Sequence, residues 1–271
     1  MRRIIPILLI IMTFSIFCVA ADDTEIQVVS DLLGRFGKMT DGLDRLRCRP
    51  ANGRSIFGFY LKEGTMRIQY FFESDNEYIV LLSTQHPVEC KIEHGRDGRL
   101  LADQKGSRIY MKYTANRVQH TEITVTSRHG GDPAIMLIMC RDRYSLPLPF
   151  EDILSMSREM VDSSACRGRT LTNKTDYFLI GGTFASNAFD KYEIAEGLVS
   201  GLRFAVGHSK TIDEVALELQ RGSGIANSVI GHGVQSIDAK TTRQARYSVI
   251  YRNDSPDVFE HGIMMMAVFD R

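Results

Sequence analysis

Short apolar runs that alternate with polar residues recur along much of the chain, and this period of two limits the folds it can adopt. Successive side chains of a β-strand point to opposite faces of a sheet, so the pattern indicates strands. Turn sequences such as Glu63-Gly64 and Asp75-Asn76 separate neighbouring runs, as in antiparallel connections. Asn52-Gly53, before the first run, is a further turn sequence. The pattern therefore predicts an antiparallel meander over residues 56–62, 66–72, 78–84, 88–92, 107–113, 117–126 and 134–140.

Two segments instead place apolar residues three or four positions apart, which is typical of one face of a helix. They predict helices over 25–46 and 150–161. Further strands are expected at 177–180, 192–195, 202–206, 246–252 and 262–269, while 212–221 fits either a helix or a strand. The predicted fold class is therefore α+β, a large curved antiparallel β-sheet with a few covering helices.

The first residues have the pattern of a secretory signal peptide. Arg2 and Arg3 precede an apolar run over 4–19, and small residues lead to a cleavage site near Ala20. We therefore expect a cleaved signal peptide at 1–20 and a secreted or periplasmic protein. No later apolar run is long enough to span a bilayer, so the mature chain is expected to have no transmembrane segment.

The rest of the chain divides at a proline-rich stretch, Leu146-Pro147-Leu148-Pro149. Residues 21–147 are predicted to form a helix plus the antiparallel meander. Residues 148–271 are predicted to form a second helix plus strands, in a sheet continuous with the first. The alternative is a distant duplication that gives two separate units.

Charge and cysteine content narrow the function classes. The 33 basic residues balance 33 acidic ones, which argues against nucleic acid as a partner. Once the signal peptide is removed, an even number of cysteines in an oxidising compartment predicts two disulfides. Closeness along the chain favours Cys48–Cys90 and Cys140–Cys166, although the sequence leaves the other pairings open.

Catalytic motifs of the common enzyme classes are absent from the sequence, and no cofactor is predicted. His208, Ser209 and Asp213 lie close together and offer the residue types of a hydrolase with a dispersed site. Four histidines precede glycines, at positions 94, 129, 232 and 261, but without the spacing of metal ligands. No metal site and no catalytic residue is therefore assigned.

Aromatic residues are dense between Phe57 and Tyr78, and on alternating strands they fall on both faces of the sheet. One such face can be core, whereas the other needs a cover, a partner or a ligand. The methionine run at 264–266 can line an irregular apolar cavity. The predicted ligand-binding residues are Phe59, Arg67, Tyr70, Phe72 and Met265.

The residues Gly58-Phe59-Tyr60-Leu61-Lys62, then Gly64-Thr65-Met66-Arg67-Ile68 with Tyr70, resemble the start of the bacterial periplasmic lipoprotein-carrier (LolA-like) proteins. The resemblance is confined to the N-terminal part. It implies a strongly curved antiparallel sheet closed by helices over an apolar cavity for acyl chains, and a carrier without enzymatic activity. The usual Asp-Gly turn of that family is replaced by Ser83-Thr84-Gln85-His86.

These observations favour an exported, non-enzymatic binding or carrier protein for a lipid-like or other apolar ligand. Two alternatives remain. One is a cell-envelope or extracellular module that binds a protein partner and no small ligand. The other is the hydrolase with a dispersed site.

Overall fold

The computed structural model describes residues 31–36, 39, 48–141, 153, 155–156, 159–160, 163, 166–167, 169–255 and 261–271. These residues form fifteen strands. They are β1 (Cys48–Pro50), β2 (Gly53–Tyr60), β3 (Thr65–Phe72), β4 (Asn76–His94), β5 (Leu100–Ala115), β6 (Gln119–Ser127), β7 (Pro133–Arg141), β8 (Leu179–Ala185), β9 (Phe189–Ile194), β10 (Gly201–His208), β11 (Val215–Arg221), β12 (Gly224–Gly231), β13 (Gln235–Lys240), β14 (Tyr247–Asn253) and β15 (His261–Asp270).

The strands form two sheets. The larger has 11 strands in the order β13-β10-β15-β8-β2-β7-β4-β6-β3, with β1 added beside β7 and β5 beside β4. The smaller has four strands in the order β12-β11-β14-β9. Consecutive described strands pair only as the hairpins β4–β5 and β11–β12, so the large sheet is not a simple meander.

Strand β4 passes from one layer of the fold to another. Its first part, Glu77 to Thr84, pairs with β7, and its second part, Val88 to His94, pairs with β6. Its register with β5 shifts between Ser83 and Val88. The large sheet therefore folds over itself, and its two layers enclose a first apolar core from Phe59 on β2 to Val125 on β6.

The strands β10, β15, β8, β2, β7 and the first part of β4 form what we call the common sheet. Its β10–β15–β8 part packs against the four-stranded sheet over a second core that includes Phe204, Leu217 and Tyr251. Its other face carries a third cluster, which contains every second residue of β7, Ile135, Leu137 and Met139, and residues of other strands. Because both faces are covered, its strands read as continuous apolar runs.

The predicted α+β class is wrong, because the described residues are almost entirely β. Helical residues are confined to 31–36, 39 and five positions between 153 and 160. They contribute side chains such as Leu32, Phe36 and Met156 to the third cluster. The predicted helices over 25–46 and 150–161 otherwise lie outside the described residues. Strand residues supply most of the described buried side chains.

The predicted signal peptide over 1–20 and the proline-rich boundary at 146–149 lie outside the described residues. Among the helices that the structure describes, none combines the length and the apolar character needed to cross a membrane.

The two predicted disulfides are also wrong. All four described cysteines are buried thiols with no disulfide among them. Cys48 and Cys166 belong to the third cluster, while Cys90 and Cys140 belong to the first core. Each predicted pair thus divides between opposite faces of the common sheet, where two sulfur atoms cannot approach bonding distance.

Burial of these thiols predicts that they react slowly with thiol reagents. Because they form no disulfide, the thermal stability of the protein should not depend on a reductant. Desolvation raises the pKa of Cys90 to about 12, so its reactive thiolate is scarce near neutral pH. We expect thiol reagents to modify the four residues only after unfolding. The thermal midpoint should be the same with and without dithiothreitol, and a midpoint that falls under reducing conditions would contradict the thiol assignment.

The junction between β2 and β8 depends on glycine. A side chain at Gly182 would collide with the backbone carbonyl oxygen of Gly53 and would stand 2.8 Å from Ser55 Oγ. Ser55 itself donates a buried hydrogen bond to the Ala51 carbonyl at 2.9 Å, so it has little freedom to move. The absence of a β-carbon is what allows β8 to lie this close to β2.

Replacing Gly182 with alanine should therefore separate the two strands. We expect Gly182→Ala to lower the free energy of unfolding by about 3 kcal/mol or more, the scale of severe overpacking. The matched control is Gly34→Ala, on an exposed helical position with no atom within 4 Å of the added carbon. Urea unfolding of both variants checks the prediction, and equal midpoints would refute it.

Candidate functional site

A cleft opens at one end of the first sandwich, our name for the two layers of the large sheet that enclose the first core. It lies between β1, the end of β3 and the start of β4. It holds about 370 Å³ of empty space, counting the solvent at its mouth. Its lining includes the consecutive β3 residues Tyr70 and Phe71 and no residue of β6. The lining consists of Arg49, Ala51, Asn52, Tyr70, Phe71, Glu73, Asn76, Tyr78 and Cys140.

Strand β1 supplies the basic group of the cleft. In the β1–β7 ladder Arg49 stands opposite Cys140, so both side chains face the first core. The neighbouring Cys48 faces the third cluster. Arg49 is only 7% exposed, and its guanidinium therefore stands at the open end of the sandwich rather than on the outer surface.

A tight turn between β3 and β4 shapes the opposite wall. Asp75 adopts a left-handed backbone with φ of 63°, and aspartate is among the residues that tolerate this conformation. The turn is closed by the Glu73 N–H, which donates to the Tyr78 hydroxyl at 3.0 Å. The turn thus places Glu73 and Asn76 in the lining of the cleft.

Aromatic rings form the floor and the rim. The centroids of Tyr70 and Phe72 lie 4.7 Å apart, and Phe72 meets the edge of Tyr78 at the same separation. Phe71 points outward from β3 and is 56% exposed, which is unusual for so large an apolar ring. The cleft therefore has a rigid base and one solvent-facing aromatic side chain beside it.

The hydroxyl groups of the floor stay neutral at physiological pH. Burial raises the pKa of Tyr78 to about 12, against the opposing effect of its hydrogen bond with Asn76. Burial also raises the pKa of Tyr70. With one guanidinium and one carboxylate in the lining, the cleft presents balanced charge and several neutral hydrogen-bonding groups.

The structure disperses the five residues predicted to bind ligand. Phe59 and Phe72 are fully buried in the first core, and Met265 is fully buried in the third cluster. Arg67 points outward and lies 3.5 Å from Glu122, in an exposed ion pair. Only Tyr70 lines the cleft.

The polar lining residues were missed because they sit at turns and strand ends. Asn52 and Asn76 were identified only as turn residues, and Glu73 and Arg49 carried no motif. Their convergence depends on β1 and β3 meeting across the sandwich, which no spacing in the sequence reveals. The turn signals at 52–53 and 75–76 were the only sequence indications of this end of the fold.

The hydrolase residues do not form a catalytic arrangement. Ser209 is 3% exposed, and its hydroxyl contacts the Thr211 hydroxyl at 2.8 Å and accepts the Ile263 N–H at 3.0 Å. His208 Nδ1 contacts the Ser209 carbonyl, not its hydroxyl. Asp213 lies beside His232 instead, with 3.6 Å between carboxylate and ring nitrogen.

Metal-binding side chains are also not assembled. Within the described ranges, no group of three or more histidine, cysteine, aspartate or glutamate side chains could hold a metal ion. The rings of His86 and His129 stack with their centroids 4.5 Å apart. His86 Nδ1 also lies 2.7 Å from Asp132 Oδ2.

No protein-family model matches the chain, and no curated protein matches it. Solved structures match at low similarity. A CBM51 from Clostridium perfringens GH95 in complex with methyl-galactose is 14% identical, with 35% of this chain and 70% of that chain covered and a TM-score of 0.27. The tandem CBM51 modules of a family 98 glycoside hydrolase from Streptococcus pneumoniae are 9% identical, with 82% and 83% covered and a TM-score of 0.27.

Procruciferin, an 11S globulin from Brassica napus, is 7% identical, with 76% of each chain covered and a TM-score of 0.23. At these TM-scores the likenesses carry no functional argument. The resemblance to the lipoprotein carriers stays a prediction.

The raised pKa of Tyr78 predicts a loss of stability in alkali. An unfolded tyrosine ionises near pH 10, whereas folded Tyr78 keeps its proton up to about pH 12. Its contribution is therefore fully present below pH 10 and is lost as the pH rises towards 12. Tyr78→Phe should cost about 1 kcal/mol at neutral pH, through the lost hydrogen bond from Glu73.

Urea unfolding at pH 8, 10 and 11 measures this effect. The difference in unfolding free energy between the wild type and Tyr78→Phe should shrink above pH 10. A difference that stays constant across the series would show that Tyr78 ionises at its ordinary pKa in the folded protein.

Proposed function

We propose that this protein is an exported, non-catalytic interaction module that binds an extended segment of a partner protein along the open edge of β3. The cleft receives one side chain of that segment. The observation that carries the proposal is that the cleft is lined by Tyr70 and Phe71 of β3, a strand that pairs only with β6 among the described strands.

Strand β3 has the geometry that such binding needs. It is eight residues long and ends the order of the large sheet. An outer strand presents backbone N–H and C=O groups that an extended peptide can satisfy by adding a strand. The backbone bonds give affinity in this mode, and pockets for alternate side chains give specificity.

The size and chemistry of the cleft suit one peptide side chain. Without the open solvent at its mouth, the cavity is only about 50 Å³, far below the roughly 300–1,000 Å³ of pockets for drug-sized ligands. Arg49 and Glu73 offer one charge of each sign, and Asn52 and Asn76 offer amides. Phe71 supplies an exposed aromatic contact of the kind enriched at protein interfaces.

The lining also argues against thiol-based nucleophilic chemistry. Its one thiol belongs to Cys140, and the lining includes no histidine that could act as its base. An acyl-chain ligand has no support either, because the aromatic residues expected around an apolar cavity fill the first core.

A saccharide is the second candidate ligand. It is favoured by the exposed ring of Phe71 beside the amides of Asn52 and Asn76 and the carboxylate of Glu73. An aromatic face can hold the C–H side of a sugar ring while amides and carboxylates bind its hydroxyls. The test must therefore separate a peptide from a glycan.

Selection from a random peptide library and binding to a glycan array provide that test. We expect selected peptides to lose affinity by about tenfold or more, equivalent to about 1.4 kcal/mol, when Phe71 is changed to Glu. The matched control is Phe189→Glu, because Phe189 is 59% exposed on β9 of the other sheet. The control should bind like the wild type.

Backbone methylation of the selected peptides tests the mode of binding. Two sets of peptides carry N-methyl groups, one on the odd and the other on the even residues. Only one set should lose binding, because an added strand uses every second N–H for its hydrogen bonds to β3. Selection of a glycan that Phe71→Glu abolishes would replace the peptide with the saccharide. Failure of both libraries, or equal effects of the two phenylalanine variants, would overturn the proposal.

A further inference from the structure

Strand β12 is an outer strand with none of the usual protection against pairing. Among the described strands it pairs only with β11. Its sequence, GIANSVIG, contains no charged residue and no proline, the devices that commonly block an open edge. Ile225 is 62% exposed and Ile230 is 54% exposed.

The sequence of β12 is nearly the same in both directions. Gly224 and Gly231 close its ends, and Ile225 and Ile230 stand one position inside them. The centre consists of Ala226, Asn227, Ser228 and Val229. Two antiparallel copies of such a strand can place like residues opposite each other, which is the requirement for a two-fold symmetric contact.

A β-bulge makes this symmetry compatible with the faces of the sheet. In the β11–β12 ladder Ile230 pairs with Ala216 and Ile225 pairs with Gln220. The register shifts between Leu219 and Gln220, so Ala226 is an extra β12 residue with no partner on β11. The intervening β11 residues Leu217 and Leu219 face the second core. Because of the bulge, Ile225 and Ile230 both lie on the outer face, although five positions separate them.

We propose that β12 pairs antiparallel with β12 of a second copy of this chain, on a two-fold axis through Ser228 and with the bulge residue Ala226 of each copy left unpaired. In this register Ile225 lies opposite Ile230 of the second copy, and Gly224 lies opposite its Gly231. Opposed residues share a face, as an antiparallel ladder requires. The two four-stranded sheets join into one continuous sheet across the axis.

Charges at the two ends of the ladder support a second copy as the occupant. Arg221 lies at the end that pairs with Gly224. Asp213 and Glu214 lie at the other end, just before Val215, which pairs with Gly231. Antiparallel pairing turns the basic end of each β11–β12 hairpin towards the acidic end of the other copy, with the two β12 strands between them, so charge favours this orientation at longer range. Within each chain His232 lies 3.6 Å from Asp213 and 3.5 Å from Glu214.

The expected dimer is concentration-dependent. Pairing along a single short strand buries less than the roughly 1,200 Å² of standard stable interfaces. Sedimentation equilibrium over a wide range of protein concentrations should therefore show a reversible monomer–dimer equilibrium. Wild-type protein that stays monomeric at its highest soluble concentration would overturn the proposal.

Charge at the axis provides the decisive variants. Ser228 is exposed and its side chain makes no described hydrogen bond, so Ser228→Lys and Ser228→Glu should fold normally. Each places two like charges opposite each other across the axis and should weaken dimerisation by about tenfold or more. An equimolar mixture of the two variants should associate again, because opposite charges then meet.

The control is Val118→Lys, which adds the same charge at an exposed position of the first sandwich, 54% exposed. It should dimerise like the wild type. Circular dichroism confirms that all variants are folded. Dimerisation of Ser228→Lys at wild-type strength, or a mixture that stays monomeric, would show that β12 is not the contact.

Cross-linking checks the register independently of charge. Directly opposed residues hold their Cβ atoms about 4.5–5.5 Å apart, close to disulfide geometry. Ser228→Cys should therefore form a covalent dimer on mild oxidation, whereas Ser236→Cys on β13 should not. Equal cross-linking of the two variants would contradict the two-fold axis at Ser228. This inference is independent of the peptide-binding proposal, which concerns β3.

Discussion

The pairing of β8 with β2 is the constraint on which the remaining architecture depends. It joins strands more than 120 residues apart into the common sheet, from Gly53 opposite Thr183 to Gly58 opposite Leu179. Once joined, the sheet has two large apolar faces, and both must be covered. The folded-over β3–β6 layer, the four-stranded sheet and the helical residues supply that cover. Gly182 fixes how closely the junction can pack.

A polar contact aligns the four-stranded sheet with the β2–β8 junction. Arg54 of β2 makes two hydrogen bonds to the Asp190 carboxylate of β9, at 2.8 and 2.9 Å. The fully buried Tyr251 of β14 donates its hydroxyl to the same carboxylate at 2.7 Å. A bidentate arginine–carboxylate pair has a fixed geometry, so it sets the position of the four-stranded sheet more specifically than apolar contacts can.

The sequence predicted most strands because each leaves a local record in its apolar pattern. The apolar pattern failed to predict strands where polar residues are buried or where apolar residues are exposed. The expected break at Ser83–His86 lies inside β4, where buried Thr84 satisfies its hydroxyl on the His86 carbonyl at 2.7 Å. Strands β12 and β13 were missed, since exposed β12 has no alternation to read. The class was wrong because a helical apolar spacing over 25–46 is a local signal. It does not show what share of the described residues is helical.

The candidate site was less predictable than the fold. Its residues come from a short strand, a strand end and a turn, and only the layering of β1 against β3 brings them together. Tyr70 could be identified from its aromatic neighbourhood. Arg49 and Asn52 carry no local signal of binding. The disulfide prediction failed for a related reason, because cysteine spacing along the chain does not report which face of a sheet each residue occupies.

The position of β15 in the sheet has a consequence for how the protein folds. This strand, Ile263 to Asp270 at its core, pairs with β8 on one side and β10 on the other, yet it follows every other described strand in the chain. Only two strand pairs are local hairpins, so most of the sheet must close long loops before its contacts form. During synthesis β8 and β10 are made before β15, the strand that fills the gap between them. We therefore expect this half of the fold to form only after β15 has left the ribosome, with β8 and β10 exposing unpaired edges to chaperones in the interval.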